Sequence, residues 1–208
     1  MTSGGRFRLV LASKSPRRAV LLRTLGVPFV VRASEAAEEL LDGELAWSAA
    51  RRLAFAKLHA TPRESPDEVV LAADTVVDLE GRPMGKPLDG RDACSMLAAL
   101  SNRSHRVHTA VAVGGSGRTV LGVATTLVSM RPFTSEEIEA YVATGAPMDK
   151  AGSYAVQDEA FHPVREWQGS YTNIVGLPLE LTARLLGLVG VAANDTCGLE
   201  NEYNRRRR

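Results

Sequence analysis

Two rhythms of apolar and polar positions run through the first third of the chain. Phe7 to Leu11 is a short apolar run that predicts a strand, and the polar turn Ser13-Lys14-Ser15-Pro16-Arg17-Arg18 follows at once. Val20, Leu21, Leu22 and Leu25 then recur at helical spacing, with Ser15 as N-cap, Pro16 in the first helical position and Gly26 as the left-handed stop. Phe29 to Val31 returns to an extended pattern. Ala50, Leu53, Ala54 and Lys57 mark a second helix from about Ala46 to His59, ended by Pro62. Val69 to Ala73 and Thr75 to Leu79 are apolar, β-branched runs separated only by Asp74, with Glu80-Gly81 as a turn; the pattern predicts adjacent antiparallel strands on either side of that aspartate.

Gly90 to Leu100 reads as a helix and His105 to Val113 as a strand, joined through a hairpin turn at Gly114 to Gly117 to a long strand from Val120 to Met130. Thr134 with Glu137 three residues on is a capping box opening a helix that ends at Gly145, and the last helix runs from Pro178 to near Gly190. Helices alternate with strands, and some strand neighbours are antiparallel. The predicted class is α/β: a mixed twisted sheet flanked by helices. Residues 1–192 are expected to form one domain, with two lobes around a cleft as a variant of it, and 193–208 a polar, disordered tail ending in Arg205 to Arg208.

Charge narrows the partners. The chain has 25 Lys and Arg against 24 Asp and Glu, a net +1, so no global basic field points to a nucleic acid and any phosphate binding must be local. Cys94 and Cys197 are far apart and have no metal-ligand spacing, which fits free thiols in the cytoplasm. The N-terminus lacks the apolar stretch of a secretory signal, and no apolar run is long enough for a membrane span.

Two constellations carry candidate chemistry. At Ser13 to Arg18, the unpaired N–H groups and positive dipole end of a helix meet two hydroxyls and three cations, an arrangement suited to an anion. Arg17 or Arg18 can grip phosphate oxygens through paired donors. A capped helix with solvated cations accounts for the same segment equally well. Asp74 is the second: a carboxylate between apolar strands costs several kcal/mol unless a metal, a cation or hydrogen bonds compensate it. It suits a divalent metal ligand or a base toward water, and a turn cap is the plainer alternative. Lys86, between Gly85 and Pro87, is placed to present its ammonium to phosphate, although surface lysines in turns are common. Glu35, Glu38 and Glu39 read either as a source of a second metal ligand or as a solvated helix start. His105 and His108 fall on opposite faces of a strand and do not share a metal, and Gly114 to Gly117 lacks the context of a phosphate-binding loop.

Taken together, Leu11 to Arg18, Ala72 to Val77, Gly85-Lys86-Pro87, Asp149 to Gln157 and Gly169 to Pro178 resemble, in order and spacing, the Maf family of nucleotide pyrophosphatases. The resemblance implies an inosine-triphosphatase-like α/β fold, a homodimer and a required divalent cation, Mg²⁺ or Mn²⁺. It implies Asp74 as catalytic acid and metal ligand with Glu38 as its metal partner, and Lys86 beside the scissile centre. Ser13, Arg17, Arg18, Lys57, Thr75, Lys150 and Gln157 would bind substrate. The Asp-Lys-Ala-Gly and Tyr-Ala-Val-Gln segments are similar to the group acting on dTTP and UTP rather than on 7-methyl-GTP. A nucleotide-binding regulator of cell division without turnover is the alternative the same family suggests, and nucleic-acid binding by the arginine tail is a third.

Overall fold

The structure is a computed structural model that describes residues 7–115, 117–194 and 196. Of the tail expected to be disordered from 193, the first residues are ordered: Ala193 packs on the core and the Asn194 N–H donates to the Leu25 carbonyl at 2.9 Å; the terminal arginines lie outside the described residues.

Strand β1 (Arg8–Leu11) leads through the Ser13 to Ser15 turn into helix α1 (Pro16–Thr24), capped by the Ser15 hydroxyl with Pro16 in its first turn. Gly26 follows with φ of 67°, the left-handed conformation expected of it. After β2 (Phe29–Val31), residues 32–45 run without regular structure to α2 (Ala46–Ala60). The glutamates at 35, 38 and 39 therefore lie on a loop and not at a helix start.

The pair of strands expected around Asp74 is a single strand. β3 (Glu68–Leu79) passes straight through the aspartate, lying parallel to β1 and antiparallel to β5 (Ser104–Gly115). Asp74 breaks the hydrophobicity of the run but not its backbone, since its N–H and C=O serve the ladder whatever the side chain is. The short strand β4 (Arg82–Met84) folds back antiparallel on the end of β3, and α3 (Gly90–Leu100) follows, capped by Asp89. β5 and β6 (Arg118–Met130) form the expected hairpin, with Gly114 and Gly115 still inside β5. Helix α4 (Ser135–Ala143) carries both bonds of the Thr134–Glu137 capping box. Two 3₁₀ turns (Ala146–Asp149 and Ala151–Ser153), the edge strand β7 (Val164–Gln168) and the short helix α5 (Tyr171–Val175) lead to α6 (Leu179–Leu188).

The result is a mixed seven-stranded sheet of order β2-β1-β3-β5-β6-β7, with β4 on β3, flanked by helices. Strand alternation divides the core. Leu9, Leu11, Leu71 and Ala73 face α1 and α6, while Val10, Ala12, Val70 and Ala72 face α2. A third cluster, around Leu97, Leu100 and Tyr141, joins α3 and α4 to the far half of the sheet.

One irregularity of the sheet makes room for a site. β3 is paired with β1 as far as Leu71 and with β4 from Val77, so between them it has no strand neighbour on that side among the described residues. Asp74 and Thr75 lie in this gap, at the carboxyl end of β1, where crevices in open α/β sheets characteristically form.

Candidate active site

The gap opens into a cleft of about 1150 Å³. Ser13, Arg17, Arg18, Glu38, Lys57, Asp74, Thr75, Lys86, Lys150 and Gln157 all line it. Every site residue that the resemblance implies is thus brought to one place, although they span most of the chain.

Asp74 is 6% exposed, and alternation turns it toward α2. Lys57, on the inward face of α2 one turn after Leu53, meets its Oδ1 in a buried ion pair. The same ammonium lies 2.7 Å from Glu38 Oε1, and Glu38 Oε2 is paired with Lys86. A chain of alternating charge results: Asp74, Lys57, Glu38, Lys86. Burial pushes the Asp74 pKa above 3.8 in spite of Lys57 and Arg18 nearby. Burial also pushes Glu38 upward, but its bonds to Lys57 and Lys86 outweigh that and hold the carboxyl at about 2. Two carboxylates within reach of one ammonium thus stay in different states of readiness: Glu38 is firmly anionic, and Asp74 is the stronger base.

On the opposite wall stands the N-terminus of α1. Ser13 Oγ accepts from the Ser15 N–H at 3.1 Å and shapes the turn, and Ser15 Oγ accepts from the Arg18 N–H at 3.5 Å. Arg18 is half-buried, and its guanidinium is fixed at several points: Nε donates to the Gly176 carbonyl at 2.8 Å and Nη2 to the Thr75 hydroxyl at 3.1 Å. Burial lowers its pKa, with Asp74 and Glu38 opposing that. Arg17 reaches Asp149 at 3.3 Å, and Lys150 is paired with the same carboxylate while donating to the Ala146 carbonyl. Asp149 is held below its usual value by these two cations against the effect of burial. Gln157 lies at the same rim.

Thr109 and Asn173 were not visible as site residues. Thr109 on β5 sits opposite Thr75 and is fully buried, as is Asn173 on α5, whose side-chain amide donates to the Val107 carbonyl at 3.0 Å and Thr126 Oγ1 at 2.8 Å. Asn173 stands within the Gly169 to Pro178 segment, but an uncharged amide carries no local signal of where it points. His105 and His108 diverge as expected: the first meets the Tyr154 hydroxyl and the second Asp78 and Thr125.

A mixed α/β sheet with a cleft at a strand end, a helix N-terminus bearing two arginines and a buried carboxylate opposite defines an anion-handling α/β protein. Comparison with known proteins makes this specific. The model of the Maf-like protein family matches residues 8–189, and the chain belongs to that family. It is 44% identical over 191 residues to a protein of Methylobacillus flagellatus named dTTP/UTP pyrophosphatase, covering 91% of this chain and 96% of the relative. It is 49% identical to a Geobacter sulfurreducens protein of the same name over 83% and 91% of the two chains, and 46% identical to one from Thermomicrobium roseum over 88% and 84%.

Proposed function

We propose that the chain hydrolyses dTTP and UTP to the nucleoside monophosphate and pyrophosphate, residues 1–192 forming one catalytic domain. The observation that carries this reading is the buried Asp74–Lys57 pair, extended by the exposed Glu38, in one cleft with the arginine-bearing end of α1. The relatives' shared name supplies the substrate.

In this reading the positive dipole end of α1, with Ser13, Arg17 and Arg18, holds the triphosphate, and Lys150 and Gln157 read the base. Asp74, made more basic by burial, takes a proton from water as the water oxygen bonds to the α-phosphorus. The bond from that phosphorus to the β-phosphate oxygen breaks, and pyrophosphate leaves. Lys57 and Lys86 offset charge that grows on the phosphate oxygens, so positioning and electrostatics carry the rate.

The residues suit a divalent cation, Mg²⁺ or Mn²⁺, because the Lys57 ammonium already sits where a cation between two carboxylates would. No group of three or more His, Cys, Asp or Glu is gathered among the described residues, so Asp74 and Glu38 would hold the ion jointly with substrate phosphates. When bound, such an ion neutralises charge on phosphate oxygens and acidifies water. A cytoplasmic homodimer completes the proposal; no helix among the described residues is long and apolar enough to cross a membrane.

The test is release of monophosphate and pyrophosphate from dTTP, UTP, CTP, ITP and 7-methyl-GTP with Mg²⁺ or Mn²⁺. Fast release from dTTP and UTP is expected. Turnover of 7-methyl-GTP or ITP alone would overturn the roles given to Lys150 and Gln157. Binding without hydrolysis of any of them would leave a nucleotide-binding regulator.

A further inference from the structure

Arg18 is held by a line of hydroxyls whose proton direction the geometry determines. Thr109 Oγ1 lies 2.9 Å from the backbone carbonyl of Asn173, and a carbonyl only accepts, so Thr109 must donate there. A threonine has one hydroxyl proton. In the 2.9 Å contact between Thr109 and Thr75, Thr75 is therefore the donor. With its own proton used in that bond, Thr75 faces Arg18 Nη2, 3.1 Å away, only as an acceptor, which is what a guanidinium requires. The line runs one way: Arg18 to Thr75 to Thr109 to the Asn173 carbonyl.

Its far end is rigid. Asn173 is fully buried, and its side chain ties α5 to both β5 and β6 through Val107 and Thr126. Three residues on, the Gly176 carbonyl takes the Nε of the same arginine. Two carbonyls of the α5 segment thus fix the guanidinium, one directly and one through two threonines.

We infer that Thr109 is a positioning residue for phosphate binding: it acts through Thr75 to aim Arg18 into the cleft, and Thr75 serves the arginine rather than donating its own proton to substrate. This rests on the proposed role of Arg18 toward phosphate. A guanidinium aimed in advance loses less freedom when it grips phosphate oxygens, so breaking the line at Thr109 weakens phosphate binding without touching the cleft wall.

The experiment compares Thr109→Val, Thr75→Val, the double variant and Thr109→Ser. Affinity for inorganic pyrophosphate is measured by calorimetry, beside kcat and KM for dTTP and the thermal midpoint. Valine keeps the shape of threonine and removes the hydroxyl; serine restores it. Thr109→Val is expected to weaken pyrophosphate binding by up to about tenfold, the upper end for one lost hydrogen bond between neutral groups. Thr75→Val should do the same and the double variant no more than either, as members of one line must behave. Thr109→Ser should bind within about twofold of the wild type by the same logic. Equal pyrophosphate affinity in Thr109→Val and wild type, or additive losses in the double variant, overturns the inference. Should Thr109→Val fail to fold, Thr75→Val against Thr109→Ser decides it alone: loss in the first and none in the second is expected, and any other pattern refutes it. Absence of dTTP hydrolysis by the wild type would overturn the proposed function instead, and the pyrophosphate readout does not depend on it.

Discussion

Lys57 and Asp74 form an ion pair in which both side chains are more than nine-tenths buried, with exposures of 7% and 8%. A pair so placed contributes little net stability, because desolvation of two charges offsets their attraction. In the proposed reaction its value lies in chemistry: the ammonium keeps a buried carboxylate available, and burial keeps that carboxylate basic.

Asp74→Asn removes the base while leaving Lys57 partnered by Glu38, so no buried cation is stranded. Turnover of dTTP is expected to fall by about a thousandfold or more, in the range for loss of a general base together with an electrostatic contact. The far-ultraviolet circular dichroism spectrum should be unchanged. A variant with wild-type turnover would refute the role of Asp74.

Gly176 has φ of 118°, and a methyl group there would lie 3.3 Å from Thr75 Oγ1 and 3.5 Å from Arg18 Nε. Gly176→Ala is expected to cost roughly 1–3 kcal/mol of stability through backbone strain. It should also raise the KM for dTTP by displacing the arginine. Denaturant titration and steady-state kinetics on the same preparation check both effects.

Lys150 and Gln157 offer a test of substrate preference. Each alanine variant should lower kcat/KM for dTTP and UTP by about ten- to a hundredfold, the range for losing one or two hydrogen bonds to a substrate. Pyrophosphate affinity should hardly change if the phosphates are held, as proposed, at the start of α1. Loss of pyrophosphate binding would place these residues at the phosphates.

Part of the acid sensitivity should come from Glu68, remote from the cleft, beside that of Glu38 within it. Its fully buried carboxylate accepts two bonds from Arg32, at 2.8 and 3.1 Å, and one from the Glu64 N–H at 2.8 Å. The Arg32 bonds are the main cause that holds it at about 2 instead of 4.5. A depressed carboxylate pKa stabilises the fold fully above the unfolded value, and that contribution is lost as pH falls from 4.5 toward 2. Glu68→Gln should therefore be less stable at pH 7 and lose less stability between pH 5 and about 3, read from urea midpoints. An acid limb as steep as that of the wild type would assign the sensitivity to other groups.

The sequence made legible what is settled within a few residues. Ser15, Pro16 and Gly26 start and stop α1 by local backbone chemistry, and Thr134 with Glu137 caps α4, so both helices fell where expected. Asp74 misled the strand assignment because local pattern scores polarity, whereas its tolerance inside β3 comes from Lys57, distant in sequence and placed by α2. β4 and β7 are short and half-exposed, with little periodicity to detect. In the cleft, the charged residues announced themselves. Thr109 did not, since a buried threonine on a strand resembles any other β-branched residue until its hydrogen bonds are known.

The lining of the cleft begins at Ala12 and ends at Val175, and Arg18 finds a carbonyl partner only at Gly176. A chain emerging from the ribosome makes α1 well before the carbonyl that steadies its arginine, 158 residues further along. While it is being translated, the nascent protein carries arginines that nothing yet aims. The aimed arginine arrives only after α5 has been made and has docked, which ties the proposed phosphate grip to synthesis of the segment that ends α5.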